Sequence, residues 1–200
     1  MNDDQRAATI DRTTRETRIG GRLGLDGSGE IRIDTGIGFL DHMLTALAFH
    51  AGWDLELECH GDLEVDDHHT AEDCALAVGE ALDRALGDRT GIVRFGTGHA
   101  PLDEALARSV IDLSGRPWPE IHLGLTRETL GGLATENITH IFTSLAMAAR
   151  CALHVDVLRG GNDHHRAEAA FKATALALRQ ATAVVGSGVP STKGSLGGAP

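Results

Sequence analysis

His68-His69-Thr70-Ala71-Glu72 and His164-His165-Arg166-Ala167-Glu168 are two copies of one HHxxE pattern, each directly after an aspartate. Each opens an alanine- and leucine-rich stretch with helical spacing. Each also has a lone histidine upstream: His42, 26 residues before His68, and His140, 24 residues before His164. The same residue types recurring at matched distances mark a duplicated structural unit. Two similar halves, fused in tandem and sharing one kind of site, are expected.

Hydrophobic periodicity extends the repeat outward. In the first half residues 16–25 alternate loosely, Gly27-Ser28-Gly29 marks a turn, and residues 30–34 alternate strictly, as strands do. Residues 39–51 carry apolar side chains at helical spacing and residues 54–59 alternate again. Residues 68–86 present a broad apolar helical face closed by Gly87. The second half repeats the order: strands over 106–113 and 120–125, a helix over 137–150, a strand over 152–158 and a helix over 164–182. The expected fold class is α+β, with tandem repeats over residues 1–90 and 91–187, each a small sheet covered by helices. A tail over 188–200 follows. Val189 to Gly194 set a basic residue among small, mobile ones, and Gly197 to Pro200 read as disordered.

Two hundred residues, 42% hydrophobic and 24% charged, suit a globular chain with a real core. A net charge of −11 argues against non-specific nucleic-acid binding, which needs a basic surface. No apolar run approaches the ~20 residues of a membrane span. The start, Met1-Asn2-Asp3-Asp4, lacks the apolar region of a signal peptide. Cys59, Cys74 and Cys151 have no paired spacing and read as reduced core residues of a cytoplasmic protein.

Residues four apart on a helix share a face, whereas neighbours diverge by about 100°. His68 with Glu72, and His164 with Glu168, can each grip one ion; His69 and His165 turn away and suit another. This geometry suggests two metals, each taking a His/Glu pair from one repeat and a histidine from the other. His42 and His140 complete three imidazoles and one carboxylate per ion. Such a mixed nitrogen and oxygen set suits manganese or another divalent first-row metal, rather than magnesium or calcium. No cysteine lies at ligand spacing and no HExxH occurs, which argues against a structural zinc site or a zinc peptidase.

Other candidates are weaker on spacing alone. Arg94 and Arg116 sit beside the turn-like residues Phe95-Gly96-Thr97-Gly98 and Ser114-Gly115, and Lys193 lies in Ser191-Thr192-Lys193-Gly194. Together they suit a phosphate group, although each also reads as an ordinary solvated cation. Glu16, in Thr14-Arg15-Glu16-Thr17, is a candidate general base. Asp103 and Glu104 read as caps of the segment that follows them. His50, His60, His99, His122 and His154 lack repeated partners and read as structural or peripheral. A dimetal hydrolase of a phosphorylated small molecule and a non-catalytic metal-binding shell both use ligands of this kind.

As a set, the residues resemble the imidazoleglycerol-phosphate dehydratase family of histidine biosynthesis. The matching strings are Gly38-Phe39-Leu40-Asp41-His42-Met43, Gly61-Asp62-Leu63 with His68-His69-Thr70-Ala71-Glu72-Asp73, and Leu102-Asp103-Glu104-Ala105-Leu106. Asp112-Leu113-Ser114-Gly115-Arg116-Pro117, Asn162-Asp163-His164-His165 with Phe171-Lys172-Ala173, and Pro190-Ser191-Thr192-Lys193-Gly194 follow in the family's order. The string around His140 departs from it, with Thr143 where the family commonly has a glutamate.

The resemblance implies an internally duplicated fold like domain 2 of ribosomal protein S5, and two Mn2+ ions per active site. One ion takes His42, His69, His164 and Glu168; the other takes His68, Glu72, His140 and His165. It implies a homo-oligomer of twenty-four subunits with active sites between chains. The implied reaction removes water from imidazole glycerol phosphate to give imidazole acetol phosphate, by way of a metal-held imidazolate. Glu16, His69 and Glu168 then carry catalytic roles. Substrate contacts come from these three and from His42, His68, Glu72, His164, His165 and Lys172, with Arg94, Arg116, Ser191, Thr192 and Lys193 around the phosphate.

Overall fold

The computed structural model describes residues 6–194 and residue 196. The start at Met1 to Asp4 and the segment Gly197 to Pro200 lie outside the described residues. The first half runs β1 (Ala7–Thr13), β2 (Thr17–Gly24), β3 (Ile31–Asp34), α1 (Gly38–Ala51), β4 (Asp54–Gly61) and α2 (His68–Leu86). The second runs β5 (Phe95–Leu102), β6 (Ala105–Asp112), β7 (Trp118–His122), a short β8 (Thr129–Leu130) and β9 (Leu133–Ala134) hairpin, α3 (Thr135–Ala148), β10 (Ala152–Arg159) and α4 (Asp163–Thr182). The sheet orders are β1-β2-β4-β3 and β5-β6-β10-β7. Each has an antiparallel hairpin, a third antiparallel strand and a parallel edge. Apart from the β8–β9 hairpin, which among the described residues only the second half has, the halves share one topology, as the α+β reading expected.

The helices join the halves. α2 covers the first sheet and α4 the second, while α1 packs on α4 and α3 packs on α2. One continuous core results, with Trp53, Met43 and Leu47 from the first half and Phe142 and Phe171 from the second. Small residues permit the close crossings. A Cβ at Gly79 of α2 would lie 2.7 Å from the Ala148 Cβ and 2.8 Å from the Leu145 carbonyl oxygen of α3. All three cysteines are buried and free, as expected of core residues. Among the described residues, no helix is long and apolar enough to cross a membrane.

Two sequence expectations need correction, and one strand went unread. Residues 95–98, taken as a turn, begin strand β5. Their alternation is hidden because the buried positions Gly96 and Gly98 are glycines: Cβ atoms there would stand 1.9 Å from the Ala177 carbonyl oxygen and 2.1 Å from that of Ala173, both on α4. Gly98→Ala should therefore destabilise the chain by about 1–3 kcal/mol, the usual cost of overpacking, and chemical denaturation reads this directly. The edge strand β1 also escaped the pattern, with Ile10 its one buried residue. The strand expected over 120–125 is β7, displaced toward the N-terminus. It pairs in parallel with Ala152 to Asp156 of β10 and stops before Gly124, whose φ of +62° turns the chain.

Candidate active site

Two clusters form where helices of opposite halves cross. Packing of α1 on α4 brings His42 to the His164/Glu168 pair. Glu168 Oε2 lies 3.3 Å from His42 Nε2 and 3.2 Å from His164 Nε2. Packing of α3 on α2 brings His140 to the His68/Glu72 pair. His140 Nε2 is 3.1 Å from Glu72 Oε1, His68 Nε2 is 3.9 Å from Glu72 Oε2, and the two rings stack with centroids 5.1 Å apart. Within each cluster the three ligand atoms lie within 4.8 Å of one another.

The donor chemistry fits a divalent cation. His140 Nε2 is buried and approaches Glu72 without hydrogen-bond alignment. Two imidazole nitrogens and a carboxylate oxygen that converge on one region make a first-row metal's donor set. The Glu168 carboxylate is divided between neighbours: Oε2 faces the two histidines and Oε1 takes an ion pair from Lys172 Nζ at 2.7 Å. Burial alone would raise the Glu168 pKa, but the Lys172 hydrogen bond and charge, helped by His42, hold it below its ordinary value. Lys172, expected at the substrate, pairs here with Glu168 and favours its anionic form.

His69 and His165 join neither cluster. His69 Nδ1 is 3.0 Å from Asp62 Oδ2 and His165 Nδ1 is 2.7 Å from Glu104 Oε2, so each ring donates to a carboxylate. His68 Nδ1 likewise donates to Asn137 Oδ1 at 2.8 Å. These partners assign the proton to Nδ1 and leave Nε2 with its lone pair, the form a metal needs. The Asp62 hydrogen bond, with the charge of Glu16 added, raises the pKa of His69. Glu104 raises that of His165 in the same way, and its own carboxyl is held down to about 2 by His165 and backbone N–H groups.

Glu16 sits in the β1–β2 turn. Its N–H donates to Thr14 Oγ1 at 3.1 Å, and its carbonyl accepts from Asp62 N at 3.1 Å. The turn is tied to α2 because Thr17 Oγ1 donates to Asp73 Oδ2 at 2.5 Å and Arg12 pairs with Asp73 at 2.7 Å. The half-exposed Glu16 carboxylate ends 3.7 Å from His69 Nε2.

The anion-binding candidates are placed differently from one another. Arg94 is engaged twice, with Asp112 at 2.6 and 3.0 Å and with the Pro190 carbonyl at 2.9 Å, so it anchors the tail beside β5. The tail is held again where Gly91 N donates to Gly188 O at 2.9 Å, which is more order than the sequence suggested. Ser191, Thr192 and Lys193 form a small turn in which Gly194 N donates to Ser191 O at 3.0 Å. Arg116 and Lys193 extend into solvent.

Sequence reasoning gave no role to Asp62 or Asn137 and a different one to Glu104. Asn137 and Glu104 lie 69 and 61 residues from the rings they hold, with no local pattern to reveal the pairing.

The model of the imidazoleglycerol-phosphate dehydratase family matches residues 35–178. A protein of that name from Phytophthora nicotianae is 60% identical over 96% of this chain, which spans 42% of its length. One from Candida glabrata is 54% identical over 94% of this chain and 99% of its own. The crystal structure of the Staphylococcus aureus enzyme of that name superposes with a TM-score of 0.81 at 38% identity, covering 90% of this chain and 99% of that one. On this agreement of sequence and fold, the chain belongs to the imidazoleglycerol-phosphate dehydratase family.

Proposed function

We propose that the chain converts imidazole glycerol phosphate to imidazole acetol phosphate and water in the cytoplasm, with two divalent cations, Mn2+ foremost, at each active site. Family membership makes it a hydro-lyase of histidine biosynthesis. The finer reading is carried by the twin His/His/Glu clusters, each assembled from both halves. His42, His164 and Glu168 hold one cation; His68, Glu72 and His140 hold the other. His69 and His165, turned away with Nε2 free, complete the first and second kinds of site on neighbouring chains. That need supports a homo-oligomer with shared sites, of twenty-four subunits if the family resemblance extends to assembly.

The bound cations contribute Lewis acidity that lowers the pKa of the substrate's imidazole ring. Glu16 removes the C–H proton of the carbon adjacent to the one that loses hydroxide, and the resulting enol becomes the ketone. Its proximity to His69 and its pinned turn support that role. Arg94, Arg116, Ser191, Thr192 and Lys193 hold the phosphate and so orient the reacting carbons.

Dialysis against a chelator should abolish turnover, and added Mn2+ should restore it, with the ketone formed and no inorganic phosphate released. Phosphate release would favour a dimetal hydrolase instead. Turnover that persists without metal would overturn the role of the clusters.

A further inference from the structure

Resting on the reading of His165 as a metal ligand, we propose that Glu104 is the positioning residue that fixes the orientation of His165 and leaves its lone pair on Nε2. Glu104 lies in the two-residue β5–β6 turn, beside Asp103 with its φ of +47°. Its two carboxylate oxygens do different work. Oε1 accepts from Gly161 N at 3.0 Å and Asn162 N at 2.8 Å, fixing the loop that leads into α4. Oε2 accepts from His165 Nδ1 at 2.7 Å. Asn162 then caps α4, its Oδ1 accepting from His164 N at 2.9 Å and His165 N at 3.4 Å. One side chain therefore sets both the start of the helix and the ring that the helix carries.

An ionised carboxylate only accepts, so the ring must place its hydrogen on Nδ1. Nε2, 3.7 Å from Asp103 Oδ2 and not hydrogen-bonded to it, then keeps its lone pair. The first half reaches the same result from a non-equivalent place: Asp62, between β4 and α2, takes the Nδ1 hydrogen of His69. Both histidines that stand outside the clusters are thus held in the ligating tautomer, by acids the duplication did not place in register.

Glu104→Gln separates the two tasks. Its amide oxygen keeps the Gly161 and Asn162 N–H bonds, while its NH2 faces His165. Rotating the amide the other way would set NH2 against two N–H donors. His165 must therefore accept at Nδ1 and carry its hydrogen on Nε2. Solid-state 15N NMR of histidine-labelled full-length chain, stripped of metal at a pH where imidazole is neutral, reads the tautomer, with His165 assigned by loss of its signal in His165→Gln. Wild type should show Nδ1–H and Glu104→Gln should show Nε2–H. Mn2+ affinity, followed by the EPR signal of free Mn2+, should fall about 10–100-fold.

An unchanged tautomer in Glu104→Gln, or a switched tautomer with unchanged affinity, overturns the proposal. Should the variant misfold, an Nε2–H signal for His165 in the wild type overturns it equally. Failure of wild type to bind Mn2+ would instead remove the ligand reading, and the two tautomers would still judge Glu104.

Discussion

Glu16→Gln should leave metal content and substrate affinity intact while lowering kcat by about 10²–10⁴-fold, the usual worth of a positioned general base. The substitution is isosteric and removes only the ability to take a proton. The turn that carries Glu16 does not depend on its carboxylate. Thr14 Oγ1 and Asp62 N bond its backbone, and Asp73 is held by Thr17 and Arg12. Stability should therefore change by no more than about 0.5 kcal/mol, as at an ordinary surface position. Steady-state kinetics with parallel metal analysis checks this. A fall in kcat with unchanged KM marks a group needed in the transition state rather than in binding. Near-normal turnover would remove Glu16 from the chemistry.

The two His/His/Glu clusters were legible because their information is local. A histidine and a glutamate four apart on a helix declare a shared face, and duplication shows which pairs matter. Their cross-half grouping followed from the same geometry, and the packing of α1 on α4 and α3 on α2 brings together three of the four residues expected at each site. The second layer was illegible. Asp62, Glu104 and Asn137 act by tertiary contact, and nothing around Glu104 distinguishes an acid that caps the next segment from one that reaches across to another strand's exit loop.

The fold shows the same division. Helices and central strands were readable because one face is apolar and the other polar. The first strand of each half was not. In β5 the inward positions are Gly96, Gly98 and Ala100, and the two glycines allow the close approach of α4, so hydrophobic alternation fades where packing is tightest. In β1, the matching edge strand, the exposed residues Thr9, Asp11 and Thr13 are polar and only Ile10 is buried. A pattern that counts apolar side chains misses a strand whose burial is achieved by having none.

His68→Ala should lower bound metal from two ions per chain to one, cut activity by at least about 100-fold and weaken assembly. The magnitude follows from comparison with indirect partners, whose loss alone typically costs 10–100-fold in metal affinity or activity; a direct ligand should cost more. Metal analysis by mass spectrometry, with light scattering for subunit number, checks it. His60→Ala serves as the control, since His60 lies exposed beside Glu58 on the outer sheet face. His68→Ala also leaves the buried Asn137 without its His68 partner, worth about 1–3 kcal/mol whether or not metal is present. Melting with and without Mn2+ separates the two effects. A ligand that binds only the folded chain stabilises it by about 2.7 kcal/mol at a hundredfold excess over Kd. Wild type should gain such an increment from Mn2+, and His68→Ala should lose most of that gain while its metal-free stability falls only by the Asn137 contribution. If metal content is unchanged, His68 is not a ligand; if stability falls equally with and without Mn2+, its role is structural.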